Sequence, residues 1–130
     1  MQGQFVAGAV IYAKDIERVS QFYSELAGLP VVQQEPDYVL LESPNFQLSV
    51  VAIAPAIAAQ ITISSPPERR ENTAIKLCLS VQSLIAAREV AVRLGGKLNG
   101  PEREWEFQGN MVCDGHDPEG NVLQVRVGAF

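Results

Sequence analysis

Apolar residues run almost unbroken from Phe5 to Tyr12, then recur at helical spacing at Ile16, Val19, Tyr23 and Leu26, with Phe22 widening the stripe. The change of period predicts a strand followed by an amphipathic helix. Asp15 stands at the junction, where its carboxylate can accept from the free amides of the first turn. Gly28 falls where a left-handed residue must end the helix, and Pro30 stops it resuming. Short apolar-polar runs at 31–34, 38–42 and 46–53 predict three strands, with turns at Pro36-Asp37 and Ser43-Pro44-Asn45. The order is βαβββ.

The same pattern returns at a constant offset of 68 residues, from Asp15 to Ser83 and from Gly28 to Gly96. Self-similarity at a fixed period indicates two copies of one supersecondary unit. In the second copy a strand covers 73–81. Ser83 caps a helix with Leu84, Ala87, Ala91 and Leu94 on one face, and Gly95-Gly96 stops it. A strand region follows at 97–99, extended through Trp105, and then strands at 110–114 and 121–127 around a His116-Asp117-Pro118-Glu119-Gly120 turn. Module one covers about 4–54, a connector 55–72 and module two about 73–128, within one domain of 130 residues. The connector begins alanine-rich, as a short helix or strand extension. From 64 to 72 it is polar and proline-bearing, which predicts an exposed connector, with a lid over a cleft as the alternative.

Composition narrows the function. The formal net charge of −5 argues against a phosphate-binding surface, so no nucleic-acid partner is expected. The longest apolar stretch, 48–63, is interrupted by Ser49, Pro55, Gln60 and Thr62 and is too short to span a bilayer. No basic start precedes an apolar run at the N-terminus. A cytoplasmic protein with no membrane partner is expected. Cys78 and Cys113 are too few for a disulfide scaffold and read as buried thiols in apolar strands. No G-x-G-x-x-G, G-x-S-x-G or Walker-type loop occurs.

Two tandem βαβββ units, carrying Asp15, Phe22-Tyr23, Leu26 and Gly28 in the first and Asp117-Pro118-Glu119-Gly120-Asn121 in the second, resemble the vicinal oxygen chelate superfamily. That group includes glyoxalase I, extradiol dioxygenases, and fosfomycin- and bleomycin-resistance proteins. The resemblance implies an α+β fold, two βαβββ modules forming a curved mixed sheet around a cavity, commonly completed by a homodimer. It also implies four metal ligands, usually His, Gln or Glu, on the first and last strand of each module. Carried over, those positions fall on Gly8, Lys76, Gln124, and either Gln47 or Ser49. Glycine offers no donor atom, and a lysine ammonium has no lone pair for a cation. No metal and no cofactor are therefore expected. The single histidine, His116, is expected to be exposed turn filler.

Strand alternation then gives a cavity lining. Val10 and Tyr12 share a face with Gly8; Cys78 and Ser80 share one with Lys76; Val122 and Arg126 share one with Gln124. Gln47, Ser49 and Val51 form the matching set in module one. The candidate ligand-binding residues are Tyr12, Gln47, Ser49, Lys76, Cys78, Trp105, Gln124 and Arg126. Lys76 and Arg126 can hold a carboxylate or phosphate, or be neutralised by a neighbouring glutamate or snorkel to the rim. Residues 102–107 alternate, with glutamates on one side as a solvated face; Trp105 stacks on a planar ligand or packs at a dimer interface. These residues predict a metal-free small-molecule-binding protein resembling bleomycin-resistance and glyoxalase-like proteins, sequestering a toxic compound. The alternative is a lyase, isomerase or dioxygenase of the same fold with an atypical or absent metal site, using either a metal or an acid–base pair for which Tyr12 and Lys76 are the available groups. A third reading is an interaction module whose cavity is filled by its own side chains.

Overall fold

Strand β1 (Gly8–Ala13) gives way to helix α1 (Ile16–Ala27) at Asp15, in a computed structural model that describes residues 5–128. The Asp15 backbone is extended, and its carboxylate accepts from the Arg18 amide at 3.1 Å. Val19, Phe22, Tyr23 and Leu26 are buried on one face of α1, as the spacing predicts. Gly28 is left-handed at φ 65°, and its N–H closes on the Ser24 carbonyl. Strands β2 (Val31–Glu35), β3 (Tyr38–Ser43) and β4 (Phe46–Ala52) complete the module.

After a short helix α2 (Pro55–Ala58), module two repeats the plan with β5 (Leu77–Val81) and α3 (Leu84–Arg93). The Ser83 hydroxyl caps α3 by accepting from the Ala86 amide. Strands β6 (Lys97–Leu98), β7 (Trp105–Phe107), β8 (Asn110–His116) and β9 (Val122–Val127) follow. The architecture is α+β, with two mixed sheets. One is ordered β1-β4-β3-β2; the other runs β5-β9-β8-β6, with β7 also on β8. The parallel pairs are β1 with β4 and β5 with β9. The sheets are not one continuous ribbon, because β1 and β5 are both edge strands and share no ladder.

The largest boundary shifts are three, and partner length explains two of them. β1 starts at Gly8 rather than Phe5 because its partner β4 begins at Phe46, beside the 43–46 turn. β5 starts at Leu77 rather than Thr73 because Leu77 already faces Leu123, the second residue of β9. The expected extension from 97 through Trp105 is interrupted by a 3-10 turn at Pro101–Arg103. Proline has no N–H to give a ladder, so β7 begins only at Trp105.

The helices pack on one face of each sheet. The core draws on both modules: Phe22, Leu41, Leu48 and Val50 from the first, Leu98, Leu123 and Val125 from the second. Burying side chains of this size stabilises by roughly 1.5–3 kcal/mol each. A polar joint also ties the modules together. Asp117 is fully buried, and its Oδ2 accepts from Tyr23 Oη at 2.9 Å and Asn121 Nδ2 at 2.8 Å. Its Oδ1 accepts from the Glu119 and Asn121 amides at 2.8 and 3.0 Å. The Glu119 carboxylate reaches back to accept from the Lys14 and Asp15 amides at 2.8 and 2.7 Å. Burial, with the adjacent Asp117 carboxylate second, pushes the Tyr23 phenol well above its ordinary 10.0.

The joint corrects one expectation. His116 is not exposed turn filler. It is the last residue of β8, 7% exposed, with Nδ1 donating to the Asp117 carbonyl at 2.9 Å. The turn is buried because α1 and the connector close over it. The connector is largely exposed from 64 to 72, as its composition predicts, and is pinned to this turn. The Arg70 amide donates to the Gly120 carbonyl at 2.8 Å, and Arg69 Nη1 donates to Asn99 Oδ1 at 2.8 Å. A Cβ placed on Gly120 would lie 2.0 Å from the Glu68 carbonyl, so only glycine lets the two backbones meet.

Candidate functional site on the open face of module two

Residues opposite one another in a ladder share a sheet face. In module two, Cys78 faces Gln124, which faces Asp114 across β8. The next row is Ser80, Arg126, Val112 and Trp105. All lie on the face turned away from α3, since Leu79, Leu123 and Val125, which alternate with them, are buried in the core. The register thus brings Trp105 to the face that carries Gln124 and Arg126.

A chain of contacts runs across this face. Lys76 Nζ lies 2.8 Å from Asp114 Oδ2, and Gln124 Nε2 donates to Asp114 Oδ1 at 3.1 Å. Gln124 Oε1 accepts from Arg126 Nε at 2.9 Å and from Cys78 Sγ at 3.5 Å. The Arg126 guanidinium carbon sits 5.0 Å from the Phe107 ring centroid. The orientation of the Gln124 amide follows from chemistry. A carboxylate can only accept and a guanidinium can only donate, so the amide nitrogen faces Asp114 and its oxygen faces Arg126.

The far side of β8 steadies this face. Arg88 on α3 donates through Nε to the Asn99 carbonyl at 3.0 Å and pairs with Glu104 at 2.5 Å. It thereby holds the segment that leads into Trp105. Glu104 is consequently not part of a solvated glutamate face, as its alternation suggested; the 3-10 turn carries it under α3. Cys113 is buried beside Arg88, and burial pushes its thiol above 9.0. Cys78, expected to be buried, is exposed because it belongs to the open face.

Of the predicted ligand-binding residues, Lys76, Cys78, Gln124 and Arg126 are joined by contacts, and Trp105 stands one row away. Lys76 lies one position before β5 rather than within it, exposed, and its neutralising partner is Asp114 rather than a glutamate. Tyr12, Gln47 and Ser49 lie on the other sheet. Tyr12 is 65% exposed opposite Val51, Gln47 Nε2 donates to Glu42 Oε2 at 2.9 Å, and Ser49 faces Val10. No hydrogen bond among the described residues links this trio to module two. Tyr12 meets module two only across a crevice of about 330 Å³ between β1 and β5, with Ile75, Leu77 and Val122 on the opposite wall.

Asp114 escaped the sequence reading. Its signal was a lone carboxylate in the run Met111-Val112-Cys113-Asp114-Gly115, at the hairpin position facing Gln124. The register also decides an alternative left open by the sequence. Val10 and Cys78 are repeat equivalents, and they face Ser49 and Gln124, so Ser49 rather than Gln47 corresponds to Gln124.

The positions to which the resemblance carries metal ligands do not fit a divalent ion here. Gly8 offers nothing, and the Lys76 ammonium is tied to Asp114. The Gln124 oxygen already accepts from Arg126 and Cys78. Among the described residues, no three His, Cys, Asp or Glu side chains form a group able to hold a metal.

Two βαβββ modules, each with a parallel first-to-last strand pair and one open sheet face, define a protein of the vicinal oxygen chelate class. The chain belongs to the glyoxalase-like domain family, whose sequence profile matches residues 8–126. Solved structures are similar in fold. A glyoxalase/bleomycin resistance protein/dioxygenase family enzyme from Burkholderia phytofirmans PsJN superposes with a TM-score of 0.69 at 19% identity, over 95% of this chain and 98% of that one. The bleomycin resistance determinant encoded on transposon Tn5 gives 0.61 at 16% identity, over 98% and 100%. An antibiotic-binding protein from Streptomyces sp. CB03234 gives 0.61 at 18%, over 99% of both. At these identities the likeness is one of fold. No curated protein sequence is similar enough to match. No helix among the described residues is long and apolar enough to cross a membrane.

Proposed function

We propose that the chain binds a small organic molecule without a bound divalent ion and sequesters it on the open face of module two. The carrying observation is the chain of contacts Lys76–Asp114–Gln124–Arg126, which takes in Lys76 and Gln124, two of the positions to which the resemblance carries metal ligands. Apolar walls with a few placed polar groups suit small-molecule recognition. Trp105 and Phe107 supply such walls, 39% and 46% exposed. The similar folds of a bleomycin resistance determinant and an antibiotic-binding protein support sequestration of a toxic compound as the role.

Tyr12, Gln47 and Ser49 take part through a second copy of the chain, which covers the exposed Val10 and Tyr12 and completes the cavity. The protein works in the cytoplasm, where the unpaired Cys78 and Cys113 stay reduced. A lyase, isomerase or dioxygenase reading has less support, because Tyr12 and Lys76 lie on different sheets and Lys76 is an exposed, ion-paired amine.

The test is a thermal-shift screen of planar antibiotics against chelator-treated protein. Hits are followed through the emission of Trp105, the only tryptophan. Saturable binding unaffected by chelator is expected. Binding that appears only after a divalent ion is added back would overturn the reading.

A further inference from the structure

The open face of module two carries an unbalanced charge. Its charged positions are Lys76, Lys97, Asp114 and Arg126; Lys97, opposite His116, lies two rows from Arg126, and Lys76 is paired with Asp114 at 2.8 Å. Arg126 has no carboxylate partner among the described residues; its contacts are the neutral Gln124 oxygen and the Phe107 ring. The chain as a whole is acidic, at −5, so a half-buried guanidinium left unneutralised on this face stands out. Desolvating a cation without a counter-charge is costly, and an incoming anion removes that cost.

The geometry also limits which anion. A guanidinium offers two forks, one through Nε and one through the two terminal nitrogens. Gln124 occupies Nε, and the Asp114 contact fixes that amide, so the terminal fork is what a ligand meets. One flat fork matches one carboxylate in bidentate fashion. A phosphate dianion would call for a second cation, but Lys76 is already engaged and Lys97 lies two rows away. Trp105, across Val112 from Arg126, supplies an aromatic surface beside the fork.

We infer that the ligand is an aromatic carboxylate, its acid group held by the terminal nitrogens of Arg126 and its ring against Trp105 and Phe107. The inference rests on the binding reading above and names the ligand class for the same site. Lys76 is then not an anion anchor: with Asp114 it fixes the amide that aims Arg126.

The experiment titrates the full chain with benzoate, neutral benzamide and cationic benzyltrimethylammonium, following Trp105 emission. Benzoate is expected to bind about tenfold or more tightly than benzamide, the size of a charge-assisted bidentate contact. Arg126→Gln should abolish that preference. If Arg126→Gln fails to fold, Arg126→Lys, which keeps the charge and loses the fork, carries the same comparison and should reduce the preference. Saturable binding of benzamide or the cation with no advantage for benzoate overturns this inference alone. Failure of all three probes to bind overturns the binding reading and this inference with it.

Discussion

Asp117→Asn tests the joint that holds the two modules in register. The carboxylate is fully buried and accepts four hydrogen bonds, two from backbone amides and two from Tyr23 and Asn121. An amide can keep the two backbone bonds on its oxygen, without the charge. Its nitrogen then faces Asn121 Nδ2 donor to donor, and Tyr23 must turn its hydroxyl to accept. Hydrogen bonds to a charged group contribute about 1.5–3 kcal/mol and neutral ones about 0.5–1.5 kcal/mol. One bond is lost and three are weakened, while the smaller desolvation cost of a neutral side chain offsets part of the loss. The net loss is about 3 kcal/mol, which for a chain of this length lowers Tm by roughly 10 °C. Urea denaturation followed by circular dichroism measures it. Tyr23→Phe should cost about 1–2 kcal/mol, and the double variant less than the sum, by about 1 kcal/mol. The alkaline limb gives a second readout. The folded-state pKa of Tyr23 is raised, chiefly by burial, so its contribution is complete below the ordinary value of 10.0 and is lost as pH rises beyond it. Tyr23→Phe should flatten that loss. An Asp117→Asn protein within about 0.5 kcal/mol of the parent, the range of an ordinary surface substitution, would refute the reasoning.

Three further outcomes follow from the site. Lys76→Met should cost less than about 1 kcal/mol by denaturant titration, because its pair with Asp114 is partly exposed on both sides. A maleimide should label Cys78 quickly and Cys113 only on unfolding, since the second thiol is buried and its pKa raised; mass spectrometry of the peptides reads this out. Phe22→Ala should cost about 3–5 kcal/mol, as it empties a fully buried site where Phe22 packs edge-on against Tyr23 and close to Gly96.

Local signals carried most of the fold. Asp15 and Ser83 cap the helices, and Gly28 takes the left-handed turn, because capping chemistry and φ preference act within a few residues. Alternation assigned the open and buried faces of β1, β5 and β9 because a strand has period two and one face of each is in the core. What failed to show in the sequence depended on distant partners. The starts of β1 and β5 are set by where β4 and β9 begin, and the break before Trp105 by a proline that a clean alternation hid. His116 looked like turn filler because nothing nearby in sequence reveals that α1 and the connector cover the turn. The site shows the same division. Gln124 and Arg126 were placed by counting along one strand, whereas Asp114 became visible only when β8 was laid beside β9. Phe107, beside Trp105 in the alternating run, gained a role only through its contact with Arg126.

In the proposed function, side-chain contacts rather than a divalent ion hold the positions to which the resemblance carries metal ligands. Metal content by inductively coupled plasma mass spectrometry, on protein purified without chelator from cells grown with iron, manganese, nickel and zinc, tests it most directly. Far less than one ion of any of these per chain is expected. One tightly held ion per chain, lost when Gln124 is replaced by Ala, would contradict it.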